Sequence, residues 1–223
     1  MRFSLTAAFV GAAALISTVS ADFYNRLNLD DALFLFVDHQ TGLMNLVQDY
    51  NPDTYLNNLM GLAESAKYFN VPAILATSRE DGPNGIMLPE LKSLFPNSTY
   101  IARPGQINAW DDERFVKAIK KTGKKQLIIS GIFTDVCVTF VSLSAKKAGY
   151  EVFVVTDASG TFSEAVRDAS WLRMQQAGIQ LMNCRDWRKD INGMAALFAK
   201  RLPAYAHIMD SFAGAQAAAQ ASS

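Results

Sequence analysis

Two kinds of apolar pattern alternate along the chain. Leu33-Phe34-Leu35-Phe36-Val37 is an unbroken apolar run closed by Asp38. Such a run suits a strand buried on both faces. Asn51-Pro52-Asp53 then opens a helix of roughly 16 residues by its capping signals, with Leu56, Leu59, Met60 and Ala63 at i, i+3, i+4 and i+7. The same alternation recurs downstream. Strands are predicted at 71–77, 100–103, 127–132, 152–156 and 180–183. Helices are predicted at 111–121, 134–149, 163–178 and 192–201. Asp111 is the expected cap of the 111–121 helix, with Phe115, Ala118 and Ile119 facing inward and Thr122-Gly123 ending it.

Strands that alternate with helices predict an α/β domain in three layers, a mainly parallel sheet with helices on both faces. No repeat and no linker-like stretch divides the chain, so residues 22–211 read as one domain. From Phe212 the sequence is mostly Ala, Gln and Ser and predicts a flexible tail over 212–223. In parallel sheets the ligand site lies beyond the carboxyl ends of the strands. Residues that follow each apolar run are therefore the candidates for chemistry.

The first 21 residues have a different character. Arg2 precedes an uncharged apolar stretch from Leu5 to Val19, and Val19-Ser20-Ala21 offers small residues for cleavage. This is the pattern of a secretory signal peptide, shorter than the ~18 apolar residues that span a bilayer. It predicts a secreted protein that has no membrane contact after cleavage. A mitochondrial presequence, or an uncleaved leader on a cytoplasmic protein, is the alternative. Asn97-Ser98-Thr99 is a glycosylation sequon that agrees with export.

Composition narrows the function. Lys and Arg total 21 and so do Asp and Glu, so no basic surface for nucleic acid is expected. Two Cys form neither a disulfide framework nor a zinc motif. His39 and His207 are the only histidines, which argues against a His-based metal centre or a Ser-His-Asp triad.

Three polar residues stand at strand ends. Asp38 suits an Asx turn, or a general base whose pKa is set by burial. Cys137 falls a few residues past the 127–132 run. It is either a small core residue or a nucleophile favoured as thiolate by a helix N-terminus, with backbone N–H groups of the same turn available to an oxyanion. Arg103 is either half of a surface salt bridge or a fixed cation that holds the other two groups ionised.

The sequence resembles the isochorismatase-like cysteine hydrolases, and within them the YcaC-like branch, over nearly all of the chain after about Phe23. The stretches that carry the resemblance are Val37-Asp38-His39-Gln40-Thr41-Gly42-Leu43, Gly82-Pro83-Asn84-Gly85 and Ile101-Ala102-Arg103-Pro104-Gly105-Gln106-Ile107-Asn108-Ala109-Trp110. The Cys137 turn, Val155-Thr156-Asp157-Ala158-Ser159-Gly160-Thr161 and Arg185-Asp186-Trp187-Arg188 complete it. The resemblance implies a Rossmann-like fold and a triad of Asp38 as base, Cys137 as nucleophile and Arg103 where the wider family has Lys. Unlike Lys, Arg stays charged and cannot shuttle protons. It also implies a cis peptide at Ile132–Phe133 that aims the N–H groups of Phe133 and Cys137 at an oxyanion. Nicotinamidases of the family bind zinc through Asp and His after the second strand. Residues 78–86 hold no His, so neither metal nor cofactor is expected.

The expected function is a cysteine hydrolase that cleaves a small amide or related C–N bond through a thioester. Its substrate is a small molecule, and the chain is expected to form a homo-oligomer. Phe36, Asn108 and Trp110 are candidates to line the pocket, against plainer readings as two core aromatics and a turn residue. Leu181-Met182-Asn183-Cys184 runs into Arg185 without the longer segment usual in the branch. That shortening motivates the alternative of an inactive secreted member that binds a ligand or partner. A disulfide between Cys137 and Cys184 is a further possibility in an oxidising compartment.

Overall fold

Each apolar run becomes a strand in a computed structural model that describes residues 26–184: β1 (Ala32–Val37), β2 (Ala73–Ser78), β3 (Thr99–Arg103), β4 (Gln126–Gly131), β5 (Glu151–Val155) and β6 (Gln180–Met182). All five pairings are parallel, in the order β3-β2-β1-β4-β5-β6. The helices are α1 (Thr41–Met44), α2 (Pro52–Tyr68), α3 (Pro89–Leu94), α4 (Glu113–Thr122), α5 (Thr139–Lys147) and α6 (Glu164–Gln176). Among the described residues, no helix is long and apolar enough to cross a membrane.

The unbroken apolar run of β1 has a direct structural cause. Phe34 and Phe36 pack with Leu59 and Leu62 of α2 and Leu91 of α3. The alternating residues Leu33, Leu35 and Val37 pack with Phe115 and Ile119 of α4, Val141 of α5 and Met174 of α6. Both faces of a central parallel strand must be apolar because each carries helices. The three-layer α/β architecture is the one predicted.

Local signals set the helix ends. Asn51 caps α2 by accepting from the N–H groups of Asp53 and Thr54, and Ser163 caps α6. The expected cap at Asp111 is shifted by one residue. Asp111 ends a 3-10 turn over Ala109–Asp111, and Asp112 accepts from the Arg114 N–H at 2.9 Å to begin α4. The predicted helix at 134–149 starts instead as a π turn over Thr134–Val138, where the Val138 N–H reaches the Phe133 carbonyl at 3.1 Å. The short helices α1 and α3 were not predicted, because four and six residues are too few to show a 3.6-residue period. The 1–21 leader, the predicted helix at 192–201 and the 212–223 tail lie outside the described residues, as do both ends of the 22–211 domain.

The order of the strands creates the site. From β1 the chain builds outward through β2 to β3, then returns to build from the other edge of β1 with β4. Such a reversal opens a crevice at the carboxyl ends of the two central strands. The ends of β1 and β4 lie very close together there. A Cβ on Gly131 would stand 2.4 Å from the Val37 carbonyl oxygen, so no larger side chain fits. We expect Gly131→Ala to lower the unfolding free energy by about 1–3 kcal/mol, the usual effect of overpacking, in chemical denaturation.

His39, just past β1, is fully buried. Its ring faces the Tyr55 hydroxyl of α2 at Nδ1 (2.9 Å) and the Ser130 hydroxyl of β4 at Nε2 (3.0 Å). Burial pushes its pKa down to about 3, against a small opposing effect of a backbone hydrogen bond at Ser130. An unfolded His takes up a proton near pH 6.5 that the folded ring refuses. The folded state therefore keeps its full stability above that pH and loses it as pH falls toward 3. Denaturation midpoints should show a loss of up to ~1.4 kcal/mol per pH unit below about pH 6 from this group. The slope should flatten in His39→Gln, and an equal slope in both proteins would contradict the assignment.

Candidate active site

Asp38 is the first residue beyond β1 and takes a left-handed backbone, φ 57°. Asp tolerates that region better than most residues through local hydrogen bonding. Its N–H donates to the Ala76 carbonyl at 2.8 Å, and its carbonyl accepts from the Gln40 N–H at 2.8 Å. Gln40 is itself locked to the end of β2. Its Nε2 donates to the Ser78 carbonyl (3.0 Å) and to the Gly85 carbonyl, and its Oε1 accepts from the Ser78 N–H (2.9 Å).

Arg103 ends β3 and reaches across the end of β2. Its Nη2 contacts Asp38 Oδ2 at 2.8 Å and Oδ1 at 3.1 Å. Neither side chain is more than 1% exposed, so the surface-bridge reading of Arg103 does not apply. The Gln106 carbonyl braces the guanidinium from Nε and Nη2. Nη1 is buried with no hydrogen-bond partner.

Cys137 lies in the π turn that follows β4. That turn is anchored by the Thr134 N–H on the Gly160 carbonyl (3.0 Å) and by the Thr161 hydroxyl on Asp135 (2.6 Å). The peptide bond Ile132–Phe133 is cis, as the resemblance implied. Cys137 is 8% exposed, and its thiol is hydrogen-bonded to the Asp38 carboxyl. The structure therefore brings Asp38, Arg103 and Cys137 together from three segments.

Electrostatics correct one expectation. Burial pushes the Cys137 thiol well above its ordinary pKa, and the charge and hydrogen bond of Asp38 push it further the same way. The Phe133 backbone hydrogen bond to the sulfur and the Arg103 charge act in the opposite direction and do not prevail. The resting group is a thiol donating to a carboxylate, not the pre-formed thiolate that a helix N-terminus suggested, because the nearest charge is negative. Burial also raises the Asp38 carboxyl, against the charge and hydrogen bond of Arg103. One proton can then move from sulfur to carboxylate while the three groups keep zero net charge, so the buried site never holds an uncompensated ion.

The proposed pocket residues have other occupations. Phe36 is fully buried on the α2 face, stacked on Phe34 (5.7 Å) and tilted against Phe95 (5.4 Å). Asn108 accepts from the Trp110 N–H (3.1 Å) and donates to Ser144 (3.1 Å). Trp110 packs edge-on against Phe115 and Tyr150. These contacts suit the plainer readings of the three residues, two core aromatics and a turn residue. Phe133 stacks on Phe162 at 4.1 Å, and Phe162 is 43% exposed. A cleft of about 750 Å³ at the end of β3 includes Arg103 and Gln106, but carboxylates such as Glu80 and Asp111 dominate it and Cys137 is not in its wall.

The two cysteines are not paired. Cys184 donates its thiol to Asp157 at 3.1 Å while Cys137 serves Asp38, which corrects the suggested disulfide. Among the described residues, no group of three or more His, Cys, Asp or Glu side chains is placed to hold a metal. The sequence reading overlooked His39 and Gln40 as anchors of Asp38. The signal was present as two polar residues, both fully buried here, directly after an apolar strand. Ser130, which breaks the apolar run of β4, was the matching signal on the other side.

Three comparisons with known proteins bear on this site. The probable hydrolase YcaC of Escherichia coli is 57% identical over 197 residues, which cover 85% of this chain and 95% of that protein. YcaC from Pseudomonas aeruginosa, with hexane-2,5-diol and covalent acrylamide, superposes with a TM-score of 0.81 at 59% identity over 85% of this chain and 98% of that one. The structure of the Escherichia coli YcaC product, described as an octameric hydrolase of unknown specificity, gives a TM-score of 0.81 at 56% identity over 86% and 98%. The isochorismatase domain model matches residues 32–186; the chain therefore belongs to the isochorismatase family.

Proposed function

We propose that this protein is a hydrolase that cleaves the C–N bond of a small amide by way of a thioester on Cys137. The observation that carries the reading is that one buried carboxylate, Asp38, holds both the Arg103 guanidinium and the Cys137 thiol. A carboxylate in contact with a thiol is a general base for that thiol. The description of YcaC as a hydrolase and the covalent acrylamide in the Pseudomonas protein support the same reading, since acrylamide is an electrophile that carries an amide.

The steps follow from the contacts. Asp38 takes the thiol proton as the sulfur attacks the carbonyl carbon. The N–H groups of Phe133 and Cys137 hold the resulting oxyanion. Asp38 gives its proton to the nitrogen as the C–N bond breaks, releasing the amine and leaving a thioester. A water molecule then loses a proton to Asp38 and attacks the thioester carbon. The C–S bond breaks, and Asp38 returns the proton to sulfur as the carboxylic acid leaves. Arg103 remains a cation throughout. It keeps the carboxylate oriented and balances its charge.

Ammonia release from a panel of small primary amides tests this reading. Cys137→Ala should lose at least ~100-fold in rate, the lower range for a lost catalytic group, with an unchanged circular dichroism spectrum. Turnover by that variant near the wild-type rate would end the proposal.

We also propose a homo-oligomer, by analogy with the octamer described for Escherichia coli YcaC. Leu46, Tyr68, Ile107 and Leu172, each at least 44% exposed, supply apolar surface of the kind that interfaces cover. Light scattering should give a mass several times that of one chain, and a monomer at micromolar concentration would contradict it.

A further inference from the structure

His39 is the buried polar side chain nearest the triad in sequence, and the mechanism above gives it no part. Its ring is fully buried, and both of its nitrogens are occupied. Nε2 faces the Ser130 hydroxyl at 3.0 Å. Nδ1 faces the Tyr55 hydroxyl at 2.9 Å, so the neutral ring donates to one hydroxyl and accepts from the other. The result is a strut from α2, through the residue after Asp38, to β4. Its tilted contact with Phe36 completes the seat.

The strut matters because of the backbone it holds. Asp38 has φ 57°, a conformation that a residue with a side chain keeps only where its surroundings impose it. The Asp38 side chain turns to Arg103 and Cys137, whereas the next side chain, His39, turns to Tyr55 on the opposite face of the sheet. A rotation of the peptide that joins them would swing both. Fixing the imidazole at two points therefore fixes the direction of the carboxylate.

We propose that His39 is a positioning residue, and that the Tyr55–His39–Ser130 strut aims the Asp38 carboxylate at the Cys137 thiol. This rests on the reading of Asp38 as the base for Cys137, and the test separates the two. The rate of Cys137 alkylation by iodoacetamide is followed against pH by peptide mass spectrometry, with the melting temperature of every variant. Asp38→Asn removes the charge that presses on the thiol, so its profile should move to lower pH by about one unit. His39→Phe should move it the same way, because a displaced carboxylate acts less on the sulfur.

His39→Phe leaves two hydroxyls without partners and lowers stability for that reason alone. The triple variant His39→Phe/Tyr55→Phe/Ser130→Ala removes those orphans and should regain much of the melting temperature while keeping the shifted profile. Tyr55→Phe and Ser130→Ala each delete one oxygen. They retain the fold if the larger changes do not, and should shift the profile in smaller measure. A wild-type profile in the folded strut variants, beside a shifted Asp38→Asn, makes His39 a packing residue and overturns the inference. A wild-type profile in Asp38→Asn instead overturns the reading of Asp38 as the base, and the inference falls with it.

Discussion

The contact between Arg103 and Asp38, with both side chains almost wholly out of water, constrains everything around it. Removing two ions from solvent costs several kcal/mol each, and their attraction repays this only when the geometry is good and the remaining polar atoms are satisfied. The surroundings meet that demand except at Arg103 Nη1, which stays buried without a partner. The Gln106 carbonyl takes the outer edge of the guanidinium, and the Cys137 thiol takes the remaining acceptor capacity of the carboxylate. The bridge is therefore less a source of stability than a means of keeping a charged carboxylate inside a protein.

That arrangement shows how, in the proposed mechanism, Cys137 is protonated at rest and still serves as a nucleophile. A lone buried thiol would have to lose its proton to water and leave a bare anion in a medium that solvates it poorly. Here the proton has a destination one hydrogen bond away, and the Arg103 charge is present before and after the transfer. The Phe133 N–H lies against the sulfur, so the same backbone that shapes the turn favours the ionised form. Arg in place of Lys suits this division of labour, because a group that never titrates leaves Asp38 as the single proton carrier.

The fold supplies the geometry cheaply. A parallel sheet that reverses its build direction between β1 and β4 leaves their carboxyl ends open and adjacent. The close approach at Gly131 and the buried His39 strut then turn two strand ends into a rigid frame. The third member arrives from β3, on the far side of β2, and the long Arg103 side chain spans that distance.

Much of this architecture was legible in the residues. Leu33 to Val37 announced a strand with helices on both sides, and Asn51-Pro52 announced the start of α2, because burial and capping are local rules that each stretch obeys by itself. The motifs around Asp38, Arg103 and Cys137 marked those three positions before any coordinates were considered. The protonation of Cys137, the occupation of Phe36, Asn108 and Trp110, and the separate partners of the two thiols were decided only by tertiary structure. A pKa or a pocket wall depends on which distant atoms arrive within a few ångströms, and Asp38 and Arg103, 65 positions apart in the chain, carry no local record of that meeting.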